Sequence, residues 1–536
     1  MIISRIGKPR KWKRWKSKFW RITALRIRIC KDFGKTRWFK AFVCGIVAVG
    51  ALPPWFVYPC LFIAFSGLIW LLDRAETRGE AMKIGYAFGF GFFSVGLAWV
   101  SRALMIEGMG FEALAPLPPI GFGIWGGLFP MLAALAAWYA PRGVRRALAF
   151  AGAWTLSEMF RAWFLTGFPW NLIATVWADC PVMLQTASLF GAYGLGMVTV
   201  FSASLFGLMK CPLRQKANLI AAVPFVILSV LAGWGGYRLK SAENVKPING
   251  VLLRLVQANI PQGQKWSRDQ AEQNLMKHVH LSRAKGAEKV THVLWPETAT
   301  QFRLTQDEFA RGMVTSALLP DAVLLAGSLR TEQSKSAYPP YKLYNSIVAV
   351  NDIGKELGYY DKSHLVPFGE YAPLTSVFPF MRKLTPGAID FSRGKGVRTT
   401  NVPRTLPVGM LVCYEVIFPA HVVDEAERPY WLMNATNDGW YGISAGPYQH
   451  FAAAQMRAVE EGIPLARVAN TGISGMIDAY GRVTAALPLG AAGFLDVELP
   501  RRTEKPTLYA RFGNAAPCGC ALLVLGLAFF TKRKKQ

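Results

Sequence analysis

The sequence predicts a multi-span α-helical membrane domain of about eight helices, carrying one extracytoplasmic α/β domain near its C-terminus. Three observations predict it. Eight apolar segments recur along the chain. The short loops between them alternate between Lys/Arg-rich and nearly bare. Between the seventh and eighth segments, about 270 residues depart from this pattern and alternate strand-like with helix-like runs.

Composition sets the frame. The chain has 536 residues, 52% of them hydrophobic, long enough for two domains and too apolar for an ordinary soluble one. A formal charge of +28 points to nucleic acid or to an anionic membrane surface. Distribution decides between them. Residues 1–40 hold fifteen Lys/Arg against the single acid Asp32, interleaved with Trp12, Trp15, Phe19 and Trp20, and long apolar segments follow at once. A polybasic, Trp-bearing arm beside a membrane reads as an anchor to anionic headgroups rather than a nucleic-acid arm. It is too basic and too long for a simple cleaved signal, so residues 1–37 are expected to remain as a cytoplasmic tail.

The apolar segments fall at 38–52, 55–72, 84–101, 117–140, 147–165, 182–209, 217–236 and 514–531. Most have the length of a span; the first is short, and can pair with the second through Pro53-Pro54 as a tilted or re-entrant element. Loops 73–83, 141–146 and 210–216 hold three Lys/Arg each, whereas 102–116 holds only Arg102 and 166–181 holds none. Both termini are therefore expected in the cytoplasm. The predicted organisation is a membrane domain over 38–236, a catalytic domain over 237–513 outside the cytoplasm, a final span at 514–531 and a basic tail at 532–536. Within the bundle, Gly85 and Gly89 and the glycines of 191–196 predict close helix packing. Glu158 and Arg161, one turn apart, are expected to pair.

In the α/β domain, charged helical runs such as RDQAEQNLMKHVHLSRAKGAE alternate with apolar runs such as VLLRLVQANI, HVLWPE, VGMLVCYE and YWLMNATND. Three residues sit where such runs end: Glu297 after HVLWP, Lys362 after LGYYD and Cys413 after GMLV. Strand ends of an α/β sheet open on a shared crevice. There a thiol needs a base, a carboxylate beside Trp295 and Pro296 can supply one, and an ammonium can stabilise an oxyanion. Each has a plainer reading: a strand-end cysteine is more often core, Glu297 suits a helix N-terminus and Lys362 a surface. The six histidines (278, 280, 292, 364, 421 and 450) show no pairing with a nucleophile elbow. The eight cysteines have neither zinc-finger spacing nor a disulfide framework, and no metal-ligand cluster or phosphate loop is visible.

WPET at 295–298, DKSHLVPFGEY at 361–371 and VCYE at 412–415 resemble the Glu–Lys–Cys motifs of the nitrilase, or carbon–nitrogen hydrolase, superfamily. NIPQGQKW at 259–266, CYEVIFP at 413–419, NATNDGWYG at 434–442 and the flanking spans narrow the resemblance to the apolipoprotein N-acyltransferases, from about residue 40 onward. The basic arm has no counterpart in that pattern. The resemblance implies an αββα sandwich and an inner-membrane enzyme acting on the periplasmic face. It implies ping-pong transfer of an acyl chain from a membrane phospholipid, through a cysteine thioester, to the α-amino group of a diacylglyceryl-apolipoprotein. Carried over residue by residue, Cys413 is the nucleophile, Glu297 the general base and Lys362 the oxyanion stabiliser. Glu370, Tyr414 and Glu415 support the site, and Trp266, Asn345 and Trp440 lie around the substrate. For the two tryptophans, packing or interfacial anchoring is nearly as good an account. No cofactor, metal or nucleic acid is implied, and a monomer in the lipid bilayer is expected. Stretch 371–391, mixing aromatic, proline and basic residues, is expected to be a mobile loop that dips into the interface. Two other readings remain: a membrane-tethered amidase or nitrilase-type hydrolase, in which water replaces the amine, and a non-catalytic lipid-binding assembly protein.

Overall fold

A computed structural model of the protein describes residues 36–106, 110–208, 215–243, 245–334, 339–373, 383 and 389–530. The basic arm up to residue 35, the last six residues and most of the 371–391 loop lie outside the described residues.

Each of the eight apolar segments holds a helix. They are α1 (Arg37–Val49), α2 (Pro59–Leu72), α3 (Arg78–Gly96), α4 (Leu117–Tyr139), α5 (Val144–Arg161), α6 (Ala187–Leu205), α7 (Gln215–Ser241) and, after the α/β domain, the final helix Ala515–Phe529. Three stretches among the described residues are long and apolar enough to cross a membrane: Glu112–Tyr139, Ala187–Leu208 and Ala222–Ser241. Arg78–Gly96 with Ala98–Leu104, bent by 43°, makes a fourth if counted as one span. The others fall short for identifiable reasons. Pro59–Leu72 and Ala515–Phe529 are apolar but shorter. α5 has 18 residues but carries Arg145, Arg146, Glu158 and Arg161.

Local chemistry accounts for the start of α3 and for its close contact with α4. Thr77 caps α3 by accepting from Glu80 N at 3.2 Å, while the Glu80 carboxylate reaches back to Glu76 N at 2.9 Å. A Cβ on Gly85 would stand 2.6 Å from the Pro130 carbonyl, and one on Gly89 would stand 2.9 Å from Gly127 Cα. α3 and α4 thus touch backbone to backbone, as the glycine spacing predicts. Glu158 and Arg161 depart from expectation. They form no ion pair; Glu158 Oε1 accepts from Ile173 N at 3.2 Å, and Arg161 Nη1 donates to the carbonyls of Phe168 at 2.5 Å and Trp170 at 2.7 Å. The loop after α5 offers backbone partners that compete successfully for both charges.

The α/β domain is built from β1 (Leu252–Gln257), α8 (Ala271–Ser282), β2 (His292–Trp295), α9 (Glu308–Thr315), β3 (Val323–Gln333), β4 (Tyr341–Asn351), β5 (Glu356–Asp361), β6 (Thr399–Thr400), β7 (Val408–Val412), β8 (Trp431–Thr436), α10 (Ala445–Glu461), β9 (Leu465–Ala469), β10 (Ser474–Ile477), β11 (Val483–Leu487) and β12 (Gly493–Glu498). The final helix, Ala515–Phe529, is α11. Two six-stranded sheets result, ordered β12-β1-β2-β3-β4-β5 and β11-β10-β9-β8-β7-β6. Parallel pairs sit at the heart of each, β1–β2–β3 in one and β7–β8–β9 in the other. The last strand returns to the first, Leu253 opposite Val497 in antiparallel register.

Alternation along the strands divides the apolar residues between two layers. Leu253, Leu255, Leu325, Ile347, Met410, Val412 and Met433 meet between the sheets. Val256, Trp295 and Leu324 face the other way, against Leu275 and Val279 of α8 and Val314 of α9. Both faces being covered, the central strands are mostly apolar, and their few polar residues, such as Arg254 and Arg467, are buried with partners. On the second sheet's outer face, Leu411, Leu432 and Leu465 with Ala454 and Met456 of α10 belong to one continuous cluster with Phe88, Trp154, Leu195 and other bundle residues. The two halves share a core.

Three histidines of the α/β domain, His278 and His292 buried and His364 partly so, tie stability to pH. Burial holds His278, His292 and His364 at pKa values of about 4, down from 6.5. As pH falls, the unfolded chain takes up these protons first, so folding weakens from about pH 6.5 down to about 4. Thermal melting of the purified protein is expected at a lower temperature at pH 5 than at pH 7. Replacing His278, whose ring lies 5.0 Å from that of Trp295, by phenylalanine should reduce the difference. Equal melting temperatures at the two pH values would count against this account.

Candidate active site

The ends of β2, β5 and β7 bring the three strand-end residues together. Lys362, fully buried, places Nζ 2.9 Å from Glu370 Oε2 and 3.8 Å from Glu297 Oε1. Asn345 of β4 bridges the two acids, its Nδ2 donating to Glu297 Oε1 at 2.8 Å and to Glu370 Oε1 at 3.0 Å. Its own Oδ1 is buried without a partner. Glu370 is held in turn by Val366 N at 2.8 Å. Lys362 thus sits between two carboxyl groups that one amide bridges, a buried ion-pair cluster in which each member has a partner.

Cys413 directly follows β7 with φ +52°, the left-handed region that a side chain enters at a cost of about 1–3 kcal/mol. A 3₁₀ turn, Cys413–Ile417, follows. The left-handed residue turns the chain from strand into the 3₁₀ turn, making a sharp corner at Cys413. Glu415 secures the corner: Oε2 accepts from Val412 N at 2.8 Å, and Oε1 accepts from Ser363 N at 2.7 Å, His364 N at 3.0 Å and Tyr360 Oη at 2.8 Å. One carboxylate thereby ties the Cys413 corner to the segment just after Lys362.

Tyr414 turns toward the helical bundle. Its hydroxyl donates to the Gly167 carbonyl at 2.8 Å, and the neighbouring His364 Nε2 lies 3.0 Å from the Thr166 carbonyl. The loop they grip is the one whose carbonyls Arg161 binds from below. Gly167, at φ +85°, makes this possible, because a Cβ there would stand 1.9 Å from the Ala162 carbonyl. Gln449 of α10 adds a second tie, its Oε1 accepting from Trp99 Nε1 at 3.0 Å and Trp170 Nε1 at 2.9 Å.

A further set of groups surrounds Cys413, and the sequence reading did not find it. Thr436 Oγ1 lies 3.2 Å from Cys413 Sγ and 3.4 Å from Asp438 Oδ1. Asp438 also receives Arg467 Nη2 at 2.9 Å and faces His450 Nδ1 at 2.9 Å, and His450 Nε2 lies 3.2 Å from the Cys413 carbonyl. The neutral ring has one N–H, which donates either from Nδ1 to Asp438 or from Nε2 to the Cys413 carbonyl, according to the tautomer. His450 thus lies against the Cys413 backbone, a pairing that its separation of 37 residues from Cys413 concealed. Lys265 is also buried, donating to the Glu297 carbonyl at 2.8 Å. Trp266 stands 40% exposed beside it, and Trp440 is half-buried near Asp438 in sequence.

Burial, reinforced by the Glu297 charge, pushes the Cys413 thiol up to about 12, against the pull of Lys362. Burial pulls Lys362 down, but Glu370 and Glu297 overcome this and raise it above the ordinary lysine range. Burial lowers Lys265 to about 8. Burial would likewise raise Asp438, but Arg467 and His450 hold it below the usual carboxylate range. At neutral pH the site thus contains a protonated thiol and a charged lysine. Such a thiol becomes a nucleophile only when a base removes its proton during attack, and the ammonium suits a developing oxyanion. Among the described residues, no group of three or more His, Cys, Asp or Glu could hold a metal ion.

Comparisons with known proteins agree with this architecture. Residues 44–205 match the apolipoprotein N-acyltransferase N-terminal domain, and residues 252–508 match the carbon–nitrogen hydrolase family. An apolipoprotein N-acyltransferase of Bradyrhizobium diazoefficiens is 36% identical over 96% of this chain and 98% of its own. One from Rhodopseudomonas palustris is 36% identical over 92% of this chain and 95% of its own. Among solved structures, an amidase from Nesterenkonia sp. aligns at 18% identity with a TM-score of 0.33, covering 48% of this chain and 94% of that one. With a carbon–nitrogen hydrolase fold seated on an apolar helical bundle, and relatives matching from end to end, the chain is an integral membrane enzyme that belongs to the apolipoprotein N-acyltransferase family.

Proposed function

We propose that this enzyme moves an acyl chain from a membrane phospholipid to the α-amino group of a diacylglyceryl-apolipoprotein in two half-reactions. In the first, Glu297 takes the Cys413 proton as sulfur attacks the ester carbonyl. The tetrahedral oxyanion is stabilised by Lys362, the ester C–O bond breaks, and the departing lysophospholipid oxygen takes the proton from Glu297. A thioester remains on Cys413. In the second, the lipoprotein amine attacks that thioester, Glu297 accepts a proton from the amine nitrogen, the C–S bond breaks and the thiolate is reprotonated. Atoms balance, and the only products are the amide and the lysophospholipid. Glu370 and Asn345 hold Lys362 and Glu297 in place, and Trp266 and Trp440 contact substrate at the rim.

The observation that carries the reading is the convergence of Cys413, Lys362 and Glu297, with Lys362 between two acids, on a domain bonded directly to an apolar bundle. A soluble amide hydrolase has no need of that bundle, whereas both lipid substrates reside in a bilayer. We place the catalytic domain, residues 237–513, in the periplasm and both termini in the cytoplasm, with about eight spans, on the alternating Lys/Arg content of the loops. The enzyme acts as a monomer.

The test is intact-protein mass spectrometry of the full-length enzyme after incubation with phosphatidylethanolamine. An acyl adduct should appear, map to Cys413, and discharge onto a diacylated lipopeptide. Discharge to water at an equal rate would favour a hydrolase instead.

A further inference from the structure

We infer that Thr436 is a further catalytic residue, whose hydroxyl turns between Asp438 and the Cys413 sulfur as the sulfur changes state. The inference rests on Cys413 being the nucleophile.

The geometry gives one hydroxyl two partners. Thr436 Oγ1 is 3.2 Å from Sγ and 3.4 Å from Asp438 Oδ1, yet it owns a single proton. Thr436 and Asp438 are both wholly buried, so water does not compete. Asp438 stays a carboxylate, clamped by Arg467 at 2.9 Å and 3.0 Å, and remains an acceptor throughout. The sulfur does not. As a thiol, Cys413 sulfur is a weak acceptor, and the Thr436 hydroxyl proton points to Asp438. When Glu297 removes the thiol proton, the thiolate is a strong acceptor, and the Thr436 proton turns onto it. Once the acyl group is attached, the thioester sulfur is a poor acceptor and the proton returns to Asp438. When the amine attacks and the C–S bond breaks, the departing thiolate recovers the bond.

No heavy atom needs to move in this cycle, and no proton leaves Thr436. The hydroxyl favours the thiolate in both half-reactions, as nucleophile in the first and leaving group in the second. A hydrogen bond made mainly to the charged form lowers the barrier, because it strengthens as charge develops. Lys362 serves the substrate oxygen; Thr436 serves the sulfur.

The experiment compares full-length Thr436→Ser, Thr436→Ala and Thr436→Val with the unaltered enzyme. Iodoacetamide labelling of Cys413 at fixed pH, read on its own peptide by mass spectrometry, reports the thiolate fraction. Single-turnover mixing with phosphatidylethanolamine, then with a diacylated lipopeptide, reports the two half-reactions. Loss of one hydrogen bond to a charged sulfur is expected to slow labelling and both half-reactions by about 10- to 100-fold in the alanine and valine variants. The serine variant should stay within about threefold of the unaltered enzyme, since it keeps the hydroxyl. Alanine and valine variants that label at the unaltered rate would overturn the role. A serine variant as slow as alanine would also overturn it, assigning the effect to the lost methyl. Because serine and alanine both lack that methyl, their comparison holds even where valine impairs folding. If the unaltered enzyme forms no thioester on Cys413, the nucleophile reading fails first, and that result is separate from any change in labelling.

Discussion

Cys413→Ala is expected to eliminate the covalent adduct and to lower acyl transfer by at least about a thousandfold, while the protein folds normally. The asymmetry follows from the site's construction. Alanine removes only Sγ, and the corner is kept by Glu415, which bonds Val412 N, Ser363 N and His364 N, and by His450 at the Cys413 carbonyl. Thr436 keeps Asp438 as a partner, so no buried donor is orphaned. Melting temperature should change little, within the range of about 1 kcal/mol typical of a small truncation that breaks no network. Transfer from phosphatidylethanolamine to a diacylated lipopeptide is the measurement. A Cys413→Ala protein that still supports lipoprotein maturation would leave a non-catalytic role as the better account.

Lys362→Met is expected to be as damaging to transfer and, unlike the cysteine change, to destabilise the fold. The ammonium that meets the oxyanion disappears, which costs at least about a hundredfold to a thousandfold. In addition, Glu370 and Glu297, within 2.9 Å and 3.8 Å of Nζ, are left facing each other across Asn345. Breaking a buried ion pair from one side costs about 3–5 kcal/mol. The two effects separate in a double variant. Adding Glu370→Gln removes one uncompensated charge, so melting temperature should recover in part, while acyl transfer should not. Recovery of transfer would show that Lys362 matters only for folding.

Much of this was legible along the chain because the signals are local. Apolar runs, loop charges and strand-end chemistry each occupy a few neighbouring residues, and they located the helical bundle, the α/β domain and the residues around Lys362. What was not legible depends on contacts between distant segments. His450 and Arg467 reach Cys413 and Asp438 only after α10 folds back over β8 and β9. Thr436 and Asp438 left a faint trace: they are two residues apart at the end of β8, a spacing that puts two side chains on one face of an extended segment. Lys265 stood inside a recognised motif, but nothing in its neighbours showed that it would be buried against Glu297. The Glu158–Arg161 pairing failed for the opposite reason. A spacing of three on a helix predicts a pair only when no better partner is near, and here the loop at 166–173 supplied backbone groups to both.

The return of β12 to β1 also orders events during synthesis. A ribosome finishes β1 at Gln257 and must then make residues 258–492 before the partner strand begins. Throughout that interval the first sheet has one raw border, the kind of edge that recruits foreign strands. The loop that Tyr414 grips, by contrast, is completed before any strand exists. Nascent chains therefore lay the lipid-facing floor first, assemble the reactive corner on it, and seal the barrier to misassembly last.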